Sequence, residues 1–367
     1  MPWKPFSWSF SQKKRCNLAS GMRGRTKPSE DWVVEARGGG VYLPQLDVWM
    51  DPKRPQKRAL VTHAHYDHLA AHGEIWASPA TVELLKLRVP KGCRFRAIEF
   101  GKPVSLGKGA SITLYPAGHI LGSAMVLVER GKAGSGKKKS RLLYTGDFKL
   151  RQGMTAERCQ PVRADVLIME TTFGLPKYRM PPVEKVRGEI LDFCRTHLDQ
   201  GKVPVLLGYA LGKSQEILRI LEGEKWPLLL HPTIQRMAKV YRAMGVALPE
   251  GRTLNASTGR RAEGHVVVCP PQALRSGGLQ KLEPKKTAMV SGWALDKGAV
   301  YRYGCDAAFP LSDHADYDEL WEMVTRVKPR QVRTLHGFAR EFAMELQEKG
   351  IQAWALSGDT QMVLPMS

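Results

Sequence analysis

The sequence predicts a mixed α/β protein in which a β-rich segment is interrupted by an α/β insertion and then closed by a second α/β stretch. Three observations point to it. From Gly40 to about Gly174 short apolar runs dominate, most of them bounded by Gly, Pro or charge: Val41 to Leu43, Ala59 to Thr62, Ser111 to Tyr115, Ala124 to Val128 and Arg141 to Thr145. From about Pro181 the texture alternates: Val183 to Leu198 has helical spacing, Val203 to Leu207 reads as a buried strand, and Lys213 to Leu221 is helical again. After Phe309 a helix (Tyr317 to Val327), a strand (Gln331 to Leu335), a helix (Arg340 to Lys349) and a strand (Gln352 to Leu356) follow. The simplest organisation is a domain inserted within another. Residues 1–30 are then a basic extension, 31–174 and 310–367 the two parts of the outer domain, and 175–309 the insertion. There is no internal repeat.

With 367 residues and 43% apolar content the chain can bury a substantial core. No stretch approaches the roughly 18 consecutive apolar residues of a membrane helix, and the start Met1-Pro2-Trp3-Lys4-Pro5-Phe6 lacks the apolar core of a secretory signal. A cytoplasmic location without membrane attachment is expected. The six cysteines lie far apart, so reduced and mostly buried thiols are expected. The formal charge of +21 favours polyanionic partners, because clustered Lys and Arg create a field that gathers them. Residues 1–29 hold seven Lys/Arg and no acid, and the loop from Gly131 to Arg141, which includes Lys137 to Lys139, holds five and no acid.

The run Thr62-His63-Ala64-His65-Tyr66-Asp67-His68 places four potential metal ligands within six residues directly after an apolar strand. Packing does not explain that density. Imidazole and carboxylate suit zinc, or manganese, and a strand that stops in a tight turn can point His63 and His65 at one ion while Asp67 and His68 face another. A catalytic site also needs ligands from elsewhere. His119 in Gly118-His119 and Asp147 in Gly146-Asp147 sit just past expected strands, each after a glycine that permits the required turn.

These residues resemble the metallo-β-lactamase superfamily, whose HxHxDH motif is matched at His63, His65, Asp67 and His68 and whose later His and Asp are matched at His119 and Asp147. Three further stretches resemble the extra motifs of its β-CASP nuclease branch: Met169-Glu170-Thr171-Thr172-Phe173-Gly174, Leu311-Ser312-Asp313-His314-Ala315-Asp316-Tyr317 and Thr334-Leu335-His336-Gly337. Together with Gly208-Tyr209-Ala210-Leu211-Gly212-Lys213-Ser214-Gln215 and Leu335-His336-Gly337-Phe338-Ala339-Arg340, they look like the bacterial ligase-associated DNA exonucleases. The similarity runs from about residue 36 to 360.

The resemblance implies a four-layered αββα fold with an inserted α/β β-CASP domain. It implies two divalent ions: His63, His65 and His119 on the first, Asp67, His68 and His336 on the second, Asp147 bridging, and a metal-activated hydroxide as nucleophile. Asp51 would hold the ligand loop from behind, and His314, oriented by Glu170, would protonate the leaving oxygen. The implied function is phosphodiester hydrolysis on DNA, as an exonuclease in repair, in association with a DNA ligase or helicase. Ribonuclease activity on the same fold and a non-catalytic nucleic-acid-binding scaffold are the alternatives. Lys213, Ser214 and Gln215, following a glycine that opens a helix, are candidates for backbone phosphate contacts. His72, His197, His231 and His265 are left with structural roles.

Overall fold

The structure, a computed structural model, describes residues 32–131, 139–259, 261–275, 279 and 282–356. The basic extension 1–30 lies outside them, as does the Lys137–Lys139 loop apart from Lys139. Among the described residues the strands form three sheets, two of six strands and one of seven.

The first sheet runs in sequence order: Glu35–Arg37, Gly40–Leu43, Val48–Met50, Arg58–Leu60, Glu74–Ala77 and Arg94–Ala97. In the second the order is Gln352–Ala355, Gln331–Leu335, Val166–Glu170, Ser140–Tyr144, Ala124–Arg130, Ala110–Pro116 and Val104–Gly107. The strand alternation written in the sequence decides how these two sheets pack, since successive side chains point to opposite faces. Val126, Val128, Leu142, Tyr144, Val166 and Ile168 turn to one core, where they meet Leu43, Met50, Leu60 and Trp76 of the first sheet. Met125, Leu127, Leu143, Leu167 and Met169 turn to another, covered by Leu320, Met323 and Val324 of helix Tyr317–Val327 and Phe342 and Leu346 of helix Ala339–Glu348. On the far side of the first sheet, Val61, Ile75 and Ala77 pack with helix Pro79–Leu85. The layers are therefore helix, sheet, sheet, helix, the αββα fold that the resemblance implies. Each fully buried aliphatic side chain in these layers contributes about 1.5–3 kcal/mol of transfer free energy.

The third sheet consists of Arg252–Thr253, Leu228–Leu230, Val266–Cys269, Val203–Leu207, Lys285–Val290 and Ala307–Phe309, all paired in parallel. Its central strands Leu228–Leu230, Val266–Cys269 and Val203–Leu207 are apolar and buried throughout, as parallel strands covered on both sides require. Leu206, Leu230, Val268 and Ala288 join the core that contains helices Val183–Asp199, Lys213–Leu221 and Pro232–Ala243, and that core is continuous with the one over the first sheet. The chain leaves the second sheet after Val166–Glu170, forms this third sheet, and returns to the second at Gln331–Leu335, which pairs in parallel with Val166–Glu170. No helix among the described residues is long and apolar enough to cross a membrane.

Candidate metal centre

Strand direction brings the distant candidates to one edge. Ser140–Tyr144, Val166–Glu170 and Gln331–Leu335 are parallel neighbours, and Ala110–Pro116, two antiparallel steps from Ser140–Tyr144, runs the same way. Their C-terminal ends therefore deliver Asp147, Glu170, His336 and His119 to the same rim of the second sheet. In the first sheet Val48–Met50 and Arg58–Leu60 are likewise parallel, which sets Asp51 beside Thr62 and His63. His314 arrives on the return from the third sheet, six residues ahead of Leu320 in the helix opened by the Asp316–Glu319 capping box.

Local backbone geometry finishes the job. Gly146 has φ of +54°, and a Cβ there would lie 2.6 Å from the Thr62 hydroxyl, so only glycine lets the Asp147 loop press on the His63 turn. Asp51 and His336 take positive φ without being glycine, at 49° and 61°. Non-glycine residues held in that region cluster at functional sites, where the surroundings over-determine them.

His63 Nε2 lies 3.2 Å from His65 Nδ1, His119 Nε2 lies 3.1 Å from the same atom, and Asp147 Oδ2 lies 3.5 Å from His63 Nε2 and 3.9 Å from His119 Nε2. A four-coordinate ion with ligands about 2.0–2.1 Å away separates them by about 3.3–3.4 Å, so these four atoms are spaced closely enough to share one cation. The other ring nitrogens confirm the fit. His65 Nε2 is 3.1 Å from the Leu211 carbonyl and His119 Nδ1 is 2.8 Å from the Asp313 carbonyl, while His63 Nδ1 is 3.1 Å from Thr62 Oγ1. A carbonyl accepts, so the proton sits on the outer nitrogen and the lone pair faces the cluster. Burial holds all three imidazoles below their usual pKa, His119 at about 3, which keeps them neutral and ligand-competent.

Asp147 Oδ2 also lies 3.3 Å from His68 Nε2, which is 3.6 Å from Asp67 Oδ2, and the His68 and His336 rings are 5.7 Å apart. This second group is more open, since the Asp67 side chain is 57% exposed. Asp51 lies behind it, 2% exposed, with its carboxylate accepting from Thr62 N and Thr62 Oγ1 at 2.7 Å each and from Tyr144 Oη at 2.9 Å, and 3.1 Å from His68 Nδ1. Burial pushes the His68 imidazole down, but Asp147 and Asp67 beside it prevail and carry it well above its usual value.

Opposite this cluster His314 Nδ1 lies 3.0 and 3.1 Å from the two Glu170 oxygens. Glu170 is fully buried and fixed by Phe148 N at 2.9 Å and Thr172 Oγ1 at 2.5 Å. Burial disfavours charge on His314, but Glu170 and then Asp147 outweigh it and push its pKa up to about 10. The ring therefore carries a proton at neutral pH.

Lys213, Ser214 and Gln215 are elsewhere than expected. Each is at most 1% exposed. Lys213 Nζ pairs with Asp313 Oδ1 at 3.1 Å, Ser214 Oγ donates to the Tyr209 carbonyl at 2.8 Å, and Gln215 Oε1 accepts from Gly212 N at 2.7 Å. The helix does open at Gly212, but its first turn is plugged into the protein, so these side chains spend their polar groups internally rather than on phosphate. Sequence reasoning missed Asp313 and Leu211, which orient His119 and His65 through main-chain carbonyls; a carbonyl contact leaves no side-chain signature.

A four-layered sandwich with a His/Asp cluster at its strand ends, and a parallel sheet entered and left beside that cluster, defines a metal-site α/β protein. Residues 44–205 match the family model for a beta-lactamase superfamily domain, and residues 307–356 match that for a Zn-dependent metallo-hydrolase RNA specificity domain. The chain belongs to the metallo-β-lactamase superfamily, in its β-CASP branch. It is 49% identical to a "Probable DNA ligase" of Opitutus terrae over 89% of this chain and 31% of that protein. An "Endoribonuclease YSH1" of Yarrowia lipolytica is 33% identical over 64% of this chain and 30% of its own length. "Cleavage and polyadenylation specificity factor subunit 3-I" of Arabidopsis thaliana is 22% identical over 97% of this chain and 61% of its own. The chain thus spans about a third of the first two relatives. A crystal structure of a protein of unknown function from Enterococcus faecalis V583 shares the fold, with a TM-score of 0.55 at 12% identity, over 83% of this chain and 79% of that one.

Proposed function

We propose that the protein is a metal-dependent nuclease that hydrolyses phosphodiester bonds of nucleic acid, and that its substrate is DNA, digested from an end in the course of repair. The observation that carries this reading is a His63, His65, His119 and Asp147 cluster whose ligand atoms are close enough to share a metal ion, faced by His314 held on buried Glu170. Two divalent ions, zinc or alternatively manganese, would be held by His63, His65 and His119 on one side and by Asp67, His68 and His336 on the other, with Asp147 between them. When bound, such ions supply a nucleophile at neutral pH and neutralise the phosphate. The protein's own residues do the rest. Asp51 keeps the His63–His68 turn in register, the Leu211 and Asp313 carbonyls fix the imidazole tautomers, and His314 delivers the proton on Nε2 to the departing oxygen while Glu170 holds Nδ1.

DNA, and with it a functional association with a ligase, is favoured by the relative named for DNA ligase; association with a helicase and a cytoplasmic location belong to the same proposal. The second reading is a ribonuclease, favoured by the RNA specificity domain matched at 307–356 and by the endoribonuclease relative. We further assign residues 175–309 to an inserted domain between outer parts 31–174 and 310–367; the support is that the third sheet is built wholly from strands between Val203 and Phe309.

The experiment is digestion of matched end-labelled DNA and RNA strands by the purified full chain loaded with Zn²⁺ or Mn²⁺. Progressive shortening of DNA, abolished by chelation and restored by either ion, is expected. Faster cleavage of RNA would transfer the assignment to the second reading, and cleavage of neither strand by metal-loaded protein would overturn both.

A further inference from the structure

We propose that Arg88, held against the ring of Tyr66, binds a backbone phosphate of the strand adjoining the phosphate at the metal centre. The inference rests on the nuclease reading above and assigns a substrate subsite beside that same metal centre.

Tyr66 stands between His65 and Asp67 in the ligand run, and it is 66% exposed while His63 and His68 are at most 3% exposed. Its turn, Tyr66–His68, is a single 3-10 turn, so the ring stands at the lip of the cluster. Arg88 lies just past helix Pro79–Leu85, with its amide donating to the Leu85 carbonyl at 2.8 Å. Its Cζ is 3.7 Å from the Tyr66 ring centroid, closer than in the other cation–π contacts of the described residues. At that distance the guanidinium plane lies on the ring face and its N–H edge is left for a ligand.

Arg88 is not otherwise employed. Among the described residues it forms no ion pair within reach of a carboxylate, and its buried Nε has no hydrogen-bond partner. Other arginines of the described residues do pair, as Arg179 with Asp318 and Arg195 with Asp192. The Arg88 charge acts on both His65 and Asp67, so it lies beside the cluster. A planar cation with free donors, immobilised beside the cluster, suits an anion, and the backbone phosphate is the charged group that a nucleic acid strand presents. A neighbouring phosphate of the bound strand is the anion that such a site would meet.

The test uses the metal-loaded full chain, with KM and kcat measured for a single-stranded oligonucleotide across a salt series and for a methyl nitrophenyl phosphodiester, which has no adjoining phosphate. Arg88→Gln should raise KM for the oligonucleotide about 5- to 50-fold and flatten the dependence of log KM on log salt by about 0.7, the share of one single-strand phosphate. KM for the small diester, which offers Arg88 no adjoining phosphate, should stay within about twofold of wild type. Tyr66→Phe should keep the wild-type slope, because the ring face is retained. Should Arg88→Gln fail to fold, Arg88→Met, which keeps the apolar stem, is read in the same way. An unchanged salt slope in the arginine variant, or equal losses on both substrates, overturns the subsite. A wild-type protein that cleaves the small diester but no nucleic acid instead strikes the nuclease reading itself, so the two failures are distinguishable.

Discussion

Replacing Lys213 by Met should destabilise the protein by about 3–5 kcal/mol, because it removes one partner of a buried ion pair and leaves a carboxylate without compensation. The magnitude follows from position. Lys213 is 1% exposed and Asp313 9%, and their 3.1 Å contact joins helix Lys213–Leu221 to the loop that carries His314. Burial raises the Asp313 pKa, yet the Lys213 charge, followed by His119, wins and holds it well below the usual carboxylate range. A group so depressed contributes stability that is present above its unfolded pKa of about 3.9 and lost as pH falls through the folded value. Without Lys213 that contribution is gone, and protonation of Asp313 relieves the penalty. The difference between wild type and Lys213→Met should therefore be largest near neutral pH and shrink below about pH 4. Urea unfolding read by circular dichroism across pH measures it, with matched slopes as the check on comparability. The double variant Lys213→Met/Asp313→Leu should recover much of the loss, since apolar replacement of both partners of a buried pair is close to neutral. A Lys213→Met protein as stable as wild type, or single losses that simply add in the double variant, would refute the reasoning and return Lys213 to the solvent-facing role expected from sequence.

Three other predictions concern the centre itself. His314→Ala should keep its metals by elemental analysis and lose roughly 10²–10⁴-fold on DNA, but much less on a nitrophenyl phosphodiester, whose leaving group needs no proton; equal losses would make His314 a positioning residue or a ligand. Glu170→Gln should pull the His314 pKa down from about 10 in metal-free protein, as read by histidine NMR titration. Because that pKa is raised, the stability it confers is present below about 6.5 and lost as pH rises through about 10, so the variant should be less stable than wild type at neutral pH and the gap should close in strong alkali. Asp51→Ala strips the acceptor from Thr62, Tyr144 and His68 and should cost 10–100-fold in metal affinity by chelator competition; unchanged affinity would reduce Asp51 to a turn residue.

The sequence by itself determined the fold class, the strands around each ligand loop, and the helices Lys213–Leu221 and Tyr317–Val327, whose bounds agree with the structure. These are local quantities: apolar periodicity, a bounding glycine and a dense ligand run are all written within a few residues of the feature that they specify. The strands Val48–Met50, Glu74–Ala77 and Leu228–Leu230 were not legible, because three or four residues carry too little periodicity and gain their state from neighbours already in the sheet. The convergence of His119, Asp147, Glu170 and His336 was decided by strand direction and register, which depend on pairing between segments as distant as Glu170 and Leu335. The same holds for Lys213. A lysine one residue past a glycine at a helix start reads as a phosphate contact, and only the approach of Asp313, a hundred residues later, turned it inward, because a buried carboxylate in a low-dielectric interior must find a cation.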